Sequence, residues 1–280
     1  MTSATTRWLA VLGWPVQHSR SPAIHTAALE ARGIDAVYLA HAVRPEALPA
    51  AIEGLRALGA LGANLTLPHK ERAMELLDEL EPAARAIGAV NTIVREGERL
   101  IGTNTDGAGL ARALSEEGVR LAAARVLVVG AGGAARAAAY GLGEAGAAHV
   151  AIAARRAERA EAIARELGAQ VSALELGGAA LGEEAERADL LVQATSATLG
   201  DAPEAAAFAA ALPIARLPAH AGVVDLVYSP RETAVLRAAA ARGLRTIDGL
   251  GMLVWQAALA FERWHGVEAP IDVMRRAAEG

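Results

Sequence analysis

Cysteine is absent from this 280-residue chain, which excludes disulfides and thiolate metal sites. Aromatic residues are scarce, at 3%. A core with so few rings must be filled by small and branched aliphatic side chains in close packing, and a hydrophobic content of 53% supplies them. No long basic run occurs, and 27 basic against 32 acidic residues leave a net charge of −5. Nucleic-acid binding by counterion release therefore has no footing. An anionic ligand has to be held by local charges and backbone dipoles. Unbroken apolar runs are missing too: charges interrupt the alanine-rich stretches, so no membrane span is expected. The apolar stretch ending at Gly13-Trp14-Pro15 is too short and wrongly flanked for a signal peptide. Lack of cysteine is compatible with a reducing cytoplasm, the expected location.

What is present alternates between strand-like and helix-like periods. Strands are expected at Trp8–Leu12, Ala36–Val43 and Gly62–Leu67, with helices at Pro22–Ala31 and Pro45–Leu58. Pro68 is read as opening a further helix whose first turn carries Lys70. Asn91–Arg95 and Arg99–Gly102 flank Glu96-Gly97-Glu98 as a hairpin. The second half reads strand (Arg125–Val129), helix, strand (His149–Ala154), helix (Ala157–Leu167), then strands at Leu190–Gln193 and Val223–Val227. Such spacing implies crossover connections and a mainly parallel sheet. The chain ends with an apolar helix, Leu250–Trp264, and another after Pro270. The expected class is α/β with two domains: 1–105 completed by helices from 248–280, and a Rossmann-type unit over 106–247.

Gly130-Ala131-Gly132-Gly133-Ala134-Ala135 fits G-x-G-x-x-G/A. Alone the pattern is weak, but here it follows a strand and opens a helix, the required setting. Gly130 suits the tight turn, Gly132 lets a pyrophosphate approach the backbone, and Ala135 lets the helix pack on the strand. The helix N-terminus adds N–H groups and partial positive charge. About twenty residues on, an acidic residue would select NAD. The chain has Ala153-Ala154-Arg155-Arg156 there instead. Two guanidinium groups suit a 2′-phosphate and point to NADP.

Three clusters in the first half carry more polarity than plain structure needs. In the first, Ser21-Pro22 is accounted for by helix capping, while Ser19 has no comparable structural duty. Two hydroxyls at a helix N-terminus could also hold a carboxylate. In the second, Asn64-Leu65-Thr66-Leu67-Pro68-His69-Lys70, strand alternation puts Asn64 and Thr66 on one face. A cation in the first turn of the following helix opposes its dipole, a conflict typical of functional sites. The third joins Asn91-Thr92 to Gly102-Thr103-Asn104-Thr105-Asp106-Gly107. Asp106 could equally cap the helix that follows.

In order and spacing these clusters and the glycine loop resemble the shikimate dehydrogenase family nearly end to end. Gly88-Ala89-Val90-Asn91-Thr92, Asp225 to Pro230, and Gly251-Met252-Leu253-Val254 with Gln256 add to the match. The resemblance implies NADPH-dependent reduction of 3-dehydroshikimate to shikimate, reversibly, in the chorismate route to aromatic amino acids, at a cleft between two α/β domains. It implies Lys70 and Asp106 as the catalytic pair. Ser19, Ser21 and Tyr228 match residues that hold the substrate carboxylate. Asn64, Thr66, Asn91, Asp106 and Gln256 match those that bind ring hydroxyls. Arg155 matches the arginine facing the 2′-phosphate, and Met252 lies in the segment passing the nicotinamide. Thr195, Val227 and Gly249 are assigned to the cofactor on the same basis.

The chain also departs from the family. Asn-Arg-Thr is usual where Ala154-Arg155-Arg156 stands, and asparagine is usual at Gln193. NADP remains the expected cofactor, with altered contacts. Two other readings stay in view: a quinate or dual quinate/shikimate dehydrogenase using NAD, and a non-catalytic module sensing NADP and a metabolite. No metal is expected. The oligomeric state is left open, with a homodimer as one option.

Overall fold

The computed structural model describes residues 2–199 and 203–280. The chain divides into two compact units, Met1–Thr105 with Val254–Gly280, and Asp106–Leu253.

The first unit runs β1 (Arg7–Gly13), α1 (Ser21–Arg32), β2 (Ala36–Ala42), α2 (Leu48–Ala57), β3 (Gly62–Leu65), β4 (Glu79–Leu80), α3 (Pro82–Ile87), β5 (Thr92–Glu96) and β6 (Arg99–Thr103). Its six strands lie in the order β2-β1-β3-β5-β6-β4. β1 pairs in parallel with β2 and β3, whereas β5 runs antiparallel to β3 and β6. Gly97, at φ 63°, turns the β5–β6 hairpin. Leu48, Ile52 and Leu55 recur at helical spacing and cover one sheet face with Ala10, Leu12, Ala63 and Leu65.

The second unit runs α4 (Asp106–Glu116), β7 (Arg125–Val129), α5 (Gly133–Glu144), β8 (His149–Ala154), α6 (Ala157–Leu167), β9 (Val171–Glu175), α7 (Ala179–Glu186), β10 (Leu190–Gln193), α8 (Pro203–Ala211), β11 (Gly222–Asp225), α9 (Ala234–Ala240) and β12 (Arg245–Ile247). Its sheet order is β12-β11-β10-β7-β8-β9, parallel throughout. Counted from β7, that is the doubly wound order 3-2-1-4-5-6 of dinucleotide-binding sheets. Val126, Val128, Val150, Ile152 and Val192 are fully buried among small alanines of the helices. The scarcity of rings is thus met by close backbone approach. A Cβ on Gly107 would lie 2.4 Å from the Ala137 carbonyl oxygen, and one on Gly141 2.3 Å from that of Gly107. α4 and α5 therefore touch backbone to backbone.

α10 (Leu250–His265) and α11 (Ile271–Glu279) close the chain. The division between units falls within α10, so residues 248–253 group with the second unit rather than the first. Among the described residues no helix is long and apolar enough to cross a membrane.

Several expectations need correction. Pro68 does not open an α-helix. A turn occupies 68–71, and a 3-10 turn follows at Arg72–Leu76. The Lys70 carbonyl accepts from Val90 N at 2.8 Å, and Met74 N, four residues ahead, donates to the Glu71 carbonyl at 3.2 Å instead. Lys70 therefore opposes no helix dipole. Ser21 is the first residue of α1 and not its cap: Arg20 holds the cap position, with no side-chain capping bond. Ser19 does have a local duty, since its Oγ accepts from Ser21 N at 3.3 Å. The helix expected from Pro45 starts as a 3-10 turn and becomes α only at Leu48.

Candidate active site

In the first unit, the C-terminal ends of β1 and β3 and the start of β5 carry the polar clusters. Asn64 and Asn91 are almost fully buried, at 6% and 2% exposure. Buried amides must find partners. Tyr38, on β2, donates its hydroxyl proton to Asn64 Oδ1 at 2.6 Å. Asn64 Nδ2 donates to the Asn91 carbonyl at 3.2 Å and to Thr92 Oγ1 at 3.1 Å. Both amide protons of Asn64 are thereby spent, and the free capacity is a lone pair on Oδ1.

Asn91 continues the chain. Its Oδ1 accepts from Thr105 N and from the Thr92 hydroxyl, each at 2.9 Å. Its Nδ2 donates to Thr105 Oγ1 at 3.0 Å and reaches Gln256 Oε1 at 3.5 Å. Thr105 Oγ1 is 3.0 Å from the Gln256 carbonyl. Six residues from five segments (Tyr38, Asn64, Asn91 with Thr92, Thr105 and Gln256) thus fix one another's orientations, and Gln256 enters although 165 positions separate it from Asn91. Thr66 lies just past β3, its methyl 2.3 Å from where a Cβ on Gly13 would sit, so glycine is required at 13.

Behind this network His25 is 1% exposed, stacked on Tyr38 at 4.3 Å and tilted against Trp264 at 5.3 Å. Burial, reinforced by the nearby His265, pushes His25 down to about 3. It is a neutral ring at working pH. Burial also raises the Tyr38 phenol well above its ordinary value, against a hydrogen bond with Ser21. Tyr38 stays protonated and remains a donor to Asn64.

Lys70 is half-buried in the turn after β3. It is also the only lysine among 27 basic residues. Everywhere else the chain uses arginine. A guanidinium does not deprotonate in proteins, whereas an ammonium can hand over a proton. Composition alone could have singled out this residue. Asp106 opens α4 and is 7% exposed. It belongs to the second unit, as does half-buried Tyr228, while Ser19, Ser21, Asn64, Thr66, Lys70, Asn91 and Gln256 belong to the first.

In the second unit a cleft of about 420 Å³ opens at the C-terminal ends of β7, β8 and β10. That is the topological switch point of the sheet, where ligands of such folds sit. Gly130, Ala131, Gly132, Ala154, Arg155, Arg156 and Thr195 all line it. Gly130 has φ +124°, and a Cβ there would lie 2.9 Å from the Thr195 methyl. At Gly132 nothing lies within 4 Å of a Cβ position, so the backbone faces open space. Gly133 and Ala134 lie in the first turn of α5, and Ala135 is buried in the core, as a small third position requires. Gly133, Ala134, Val227, Gly249 and Met252 are not lining residues of this cleft. Met252 packs against the unit's core. Gly249 permits a backbone crossing: a Cβ there would lie 2.3 Å from the Leu226 carbonyl oxygen.

The donor set fits an anionic dinucleotide. Arg155 and Arg156 are exposed at the cleft, as is Arg159. None of the three makes an ion pair among the described residues, which leaves their donors for a ligand phosphate. Sequence reasoning missed Arg159. Its spacing from 155 and 156, one turn into α6, was the available signal. It also missed Tyr38, and Glu204 and Phe208 of α8, which line the cleft.

A parallel sheet of this order with a glycine-lined cleft flanked by exposed arginines defines a dinucleotide-binding α/β protein, and the buried amide network gives it a second, polar unit. Residues 11–93 match the shikimate dehydrogenase substrate binding domain, 110–231 the shikimate / quinate 5-dehydrogenase family, and 249–279 the shikimate 5′-dehydrogenase C-terminal domain. The shikimate dehydrogenase (NADP(+)) of Symbiobacterium thermophilum is 48% identical, over 97% of this chain and 93% of its own length. That of Geobacter metallireducens is 46% identical, over 97% and 95%. A crystal structure of shikimate 5-dehydrogenase from Thermus thermophilus, in complex with NADP(H) and shikimate, matches with a TM-score of 0.86 and 42% identity, covering 98% of both chains. The chain belongs to the shikimate dehydrogenase family.

Proposed function

We propose that this chain is an NADP-dependent shikimate dehydrogenase, interconverting 3-dehydroshikimate and shikimate. The observation that carries the cofactor choice is the cleft rimmed by Arg155, Arg156 and Arg159 where an NAD site would present a carboxylate. The substrate choice is supported by the relatives' shared activity and by retention of Lys70 and Asp106.

The nicotinamide, when bound, supplies or removes the hydride. The chain's own residues manage charge and protons. Lys70 donates a proton to the oxygen developing at the ketone carbon and provides positive charge beside it. Asp106 orients the ammonium and takes part in relaying the proton. Asn64, Thr66, Asn91 and Gln256 hold the ring hydroxyls. The interlocked amides of Asn64 and Asn91 suit them to that task, since groups already fixed lose little freedom on binding. Ser19, Ser21 and Tyr228 hold the carboxylate. Residues 1–105 with the C-terminal helices form the substrate half, and 106–247 bind the cofactor, with Gly133, Ala134, Val227, Gly249 and Met252 lying along it. The cytoplasm is the setting in which a cysteine-free biosynthetic enzyme needs no oxidising environment. A homodimer is the proposed assembly. The edge strand β2 supports it, since it lacks proline and formal charge and exposes Leu39 by 44%.

Initial rates with shikimate and quinate, each against NADP+ and NAD+, test the assignment. Fastest turnover is expected for shikimate with NADP+. Faster oxidation of quinate with NAD+ would overturn the substrate and cofactor choice. No change in nicotinamide absorbance with any pair would favour a sensing module.

A further inference from the structure

The cleft of the second unit is lined by a single carboxylate. Glu204, in the first turn of α8, shares its walls with Arg155, Arg156 and Arg159. It is exposed, and no ion pair joins it to those arginines among the described residues. A carboxylate beside ligand phosphates is repulsive, so phosphate binding does not account for it. The helix dipole favours an acidic residue in a first turn, which explains the residue type but not its place on the cleft wall.

Phe208 stands one helical turn further on the same face of α8 and is the single aromatic side chain among the lining residues. Leu176, just past β9, extends that wall. Phe208 and Leu176 are both half-buried and pack against one hydrophobic core, so their positions are backed by close packing. Leu176 N donates to the Ala154 carbonyl at 2.9 Å, which sets the apolar wall directly beside the arginine rim.

NADP carries its 2′-phosphate and its adenine on neighbouring carbons of one ribose. Arginines that hold the phosphate therefore bring the base into the same cleft. The base needs a broad apolar surface against its face, which the glycines and alanines of the cleft are too small to give. It also has an exocyclic amine, a hydrogen-bond donor, on its edge. Phe208 with Leu176 matches the face. Glu204 matches the edge, because an ionised carboxylate only accepts.

We infer that Glu204 and Phe208 form the base-recognition wall of this cleft: the Phe208 ring carries the face of adenine, and the Glu204 carboxylate accepts from its exocyclic amine and so selects adenine over a base with an oxygen there. The inference rests on the NADP-dependent reading and adds to it a selectivity for the base, where the arginines select only the phosphate.

The test is titration calorimetry with NADP+ and with nicotinamide hypoxanthine dinucleotide phosphate, in which a carbonyl oxygen replaces the amine of adenine. Wild type should bind NADP+ about tenfold more tightly, since the carboxylate gains a donor from one ligand and faces an acceptor on the other. Glu204→Gln should bring the two within about twofold, because an amide accepts from the amine or donates to the carbonyl. Phe208→Leu keeps an apolar side chain against the core and should weaken both ligands about fivefold, with their ratio unchanged. A wild-type ratio below about twofold, or a ratio that Glu204→Gln leaves as it was, would overturn the role of Glu204. Equally tighter binding of both ligands by Glu204→Gln would overturn it too, showing a carboxylate that only repels phosphate. Unchanged affinities in Phe208→Leu would remove the ring from the site. Wild-type protein that binds neither ligand would instead refute the NADP reading, and the inference with it.

Discussion

Replacing His25 by phenylalanine should make the first unit less sensitive to acid. The imidazole is 1% exposed and stacked flat on Tyr38 at 13° between planes. Its folded value is about 3 against an ordinary 6.5. A histidine depressed in this way is protonated first in the unfolded chain. Its contribution is therefore intact above pH 6.5 and drains away as pH falls toward 3, at about 1.4 kcal/mol per pH unit. Between pH 7 and pH 5 the loss is about 2 kcal/mol, a large part of a domain's stability. Phenylalanine keeps a ring against Tyr38 and Trp264 and cannot titrate. All four tryptophans, Trp8, Trp14, Trp255 and Trp264, lie in this unit, so intrinsic fluorescence follows its urea unfolding specifically. The stability difference between His25→Phe and wild type should swing by about 2 kcal/mol in the variant's favour from pH 7 to pH 5. His265, pushed down to about 4 by burial and Arg7, titrates in both proteins, and a His25→Phe, His265→Phe double variant separates its share. Parallel pH curves for the two proteins would refute the buried neutral imidazole.

Other expectations follow from the same geometry. Lys70→Ala should cut turnover by about 10²–10⁴-fold with a much smaller change in substrate KM, measured by steady-state kinetics; near-normal turnover would remove Lys70 from the mechanism. Because Lys70 is the only lysine, reductive 13C-methylation should give one side-chain signal besides the amino terminus, whose titration by NMR reports the ammonium directly. Replacing Arg155 and Arg156 by uncharged residues should raise KM for NADP+ far more than for NAD+, and adding Arg159→Ala should widen the gap; equal effects would dissociate these residues from the 2′-phosphate. Tyr38→Phe leaves Asn64 Oδ1 without its donor, which should cost about 1–3 kcal/mol in urea denaturation and weaken shikimate more than NADP+. Gly141→Ala forces a Cβ into the Gly107 backbone and should destabilise the second unit by about 1–3 kcal/mol in thermal unfolding, with turnover falling because α4 carries Asp106.

The alternation of apolar runs specified β7, β8, α6 and β10 almost to the residue, because fully buried parallel strands and one-faced helices have periods visible in any short window. The glycine loop and Arg155 were equally plain, since their chemistry depends on neighbours close in sequence. Short or mildly polar elements were not plain. β4 has two residues, and β9, α7 and β12 mix polar with apolar side chains, so no period stands out. Where a helix was expected after Pro68, Met74 N turns back to Glu71 and the Lys70 carbonyl bonds a remote N–H, from Val90. No local pattern contains that bond.

The sequence by itself determined the class of fold, the phosphate cradle and the chemical identity of the polar groups, since these follow from residue type and near-neighbour spacing. Tertiary structure decided which of those groups share a hydrogen bond. Tyr38, Asn64, Asn91, Thr105 and Gln256 are spread over more than two hundred positions yet satisfy one another's buried donors and acceptors. The same holds for Asp225 with its four donors, Gln193, Thr198, Val227 and Thr233. A buried polar atom must be paired, but which partner it finds depends on the packing of distant segments, and only the folded chain specifies that.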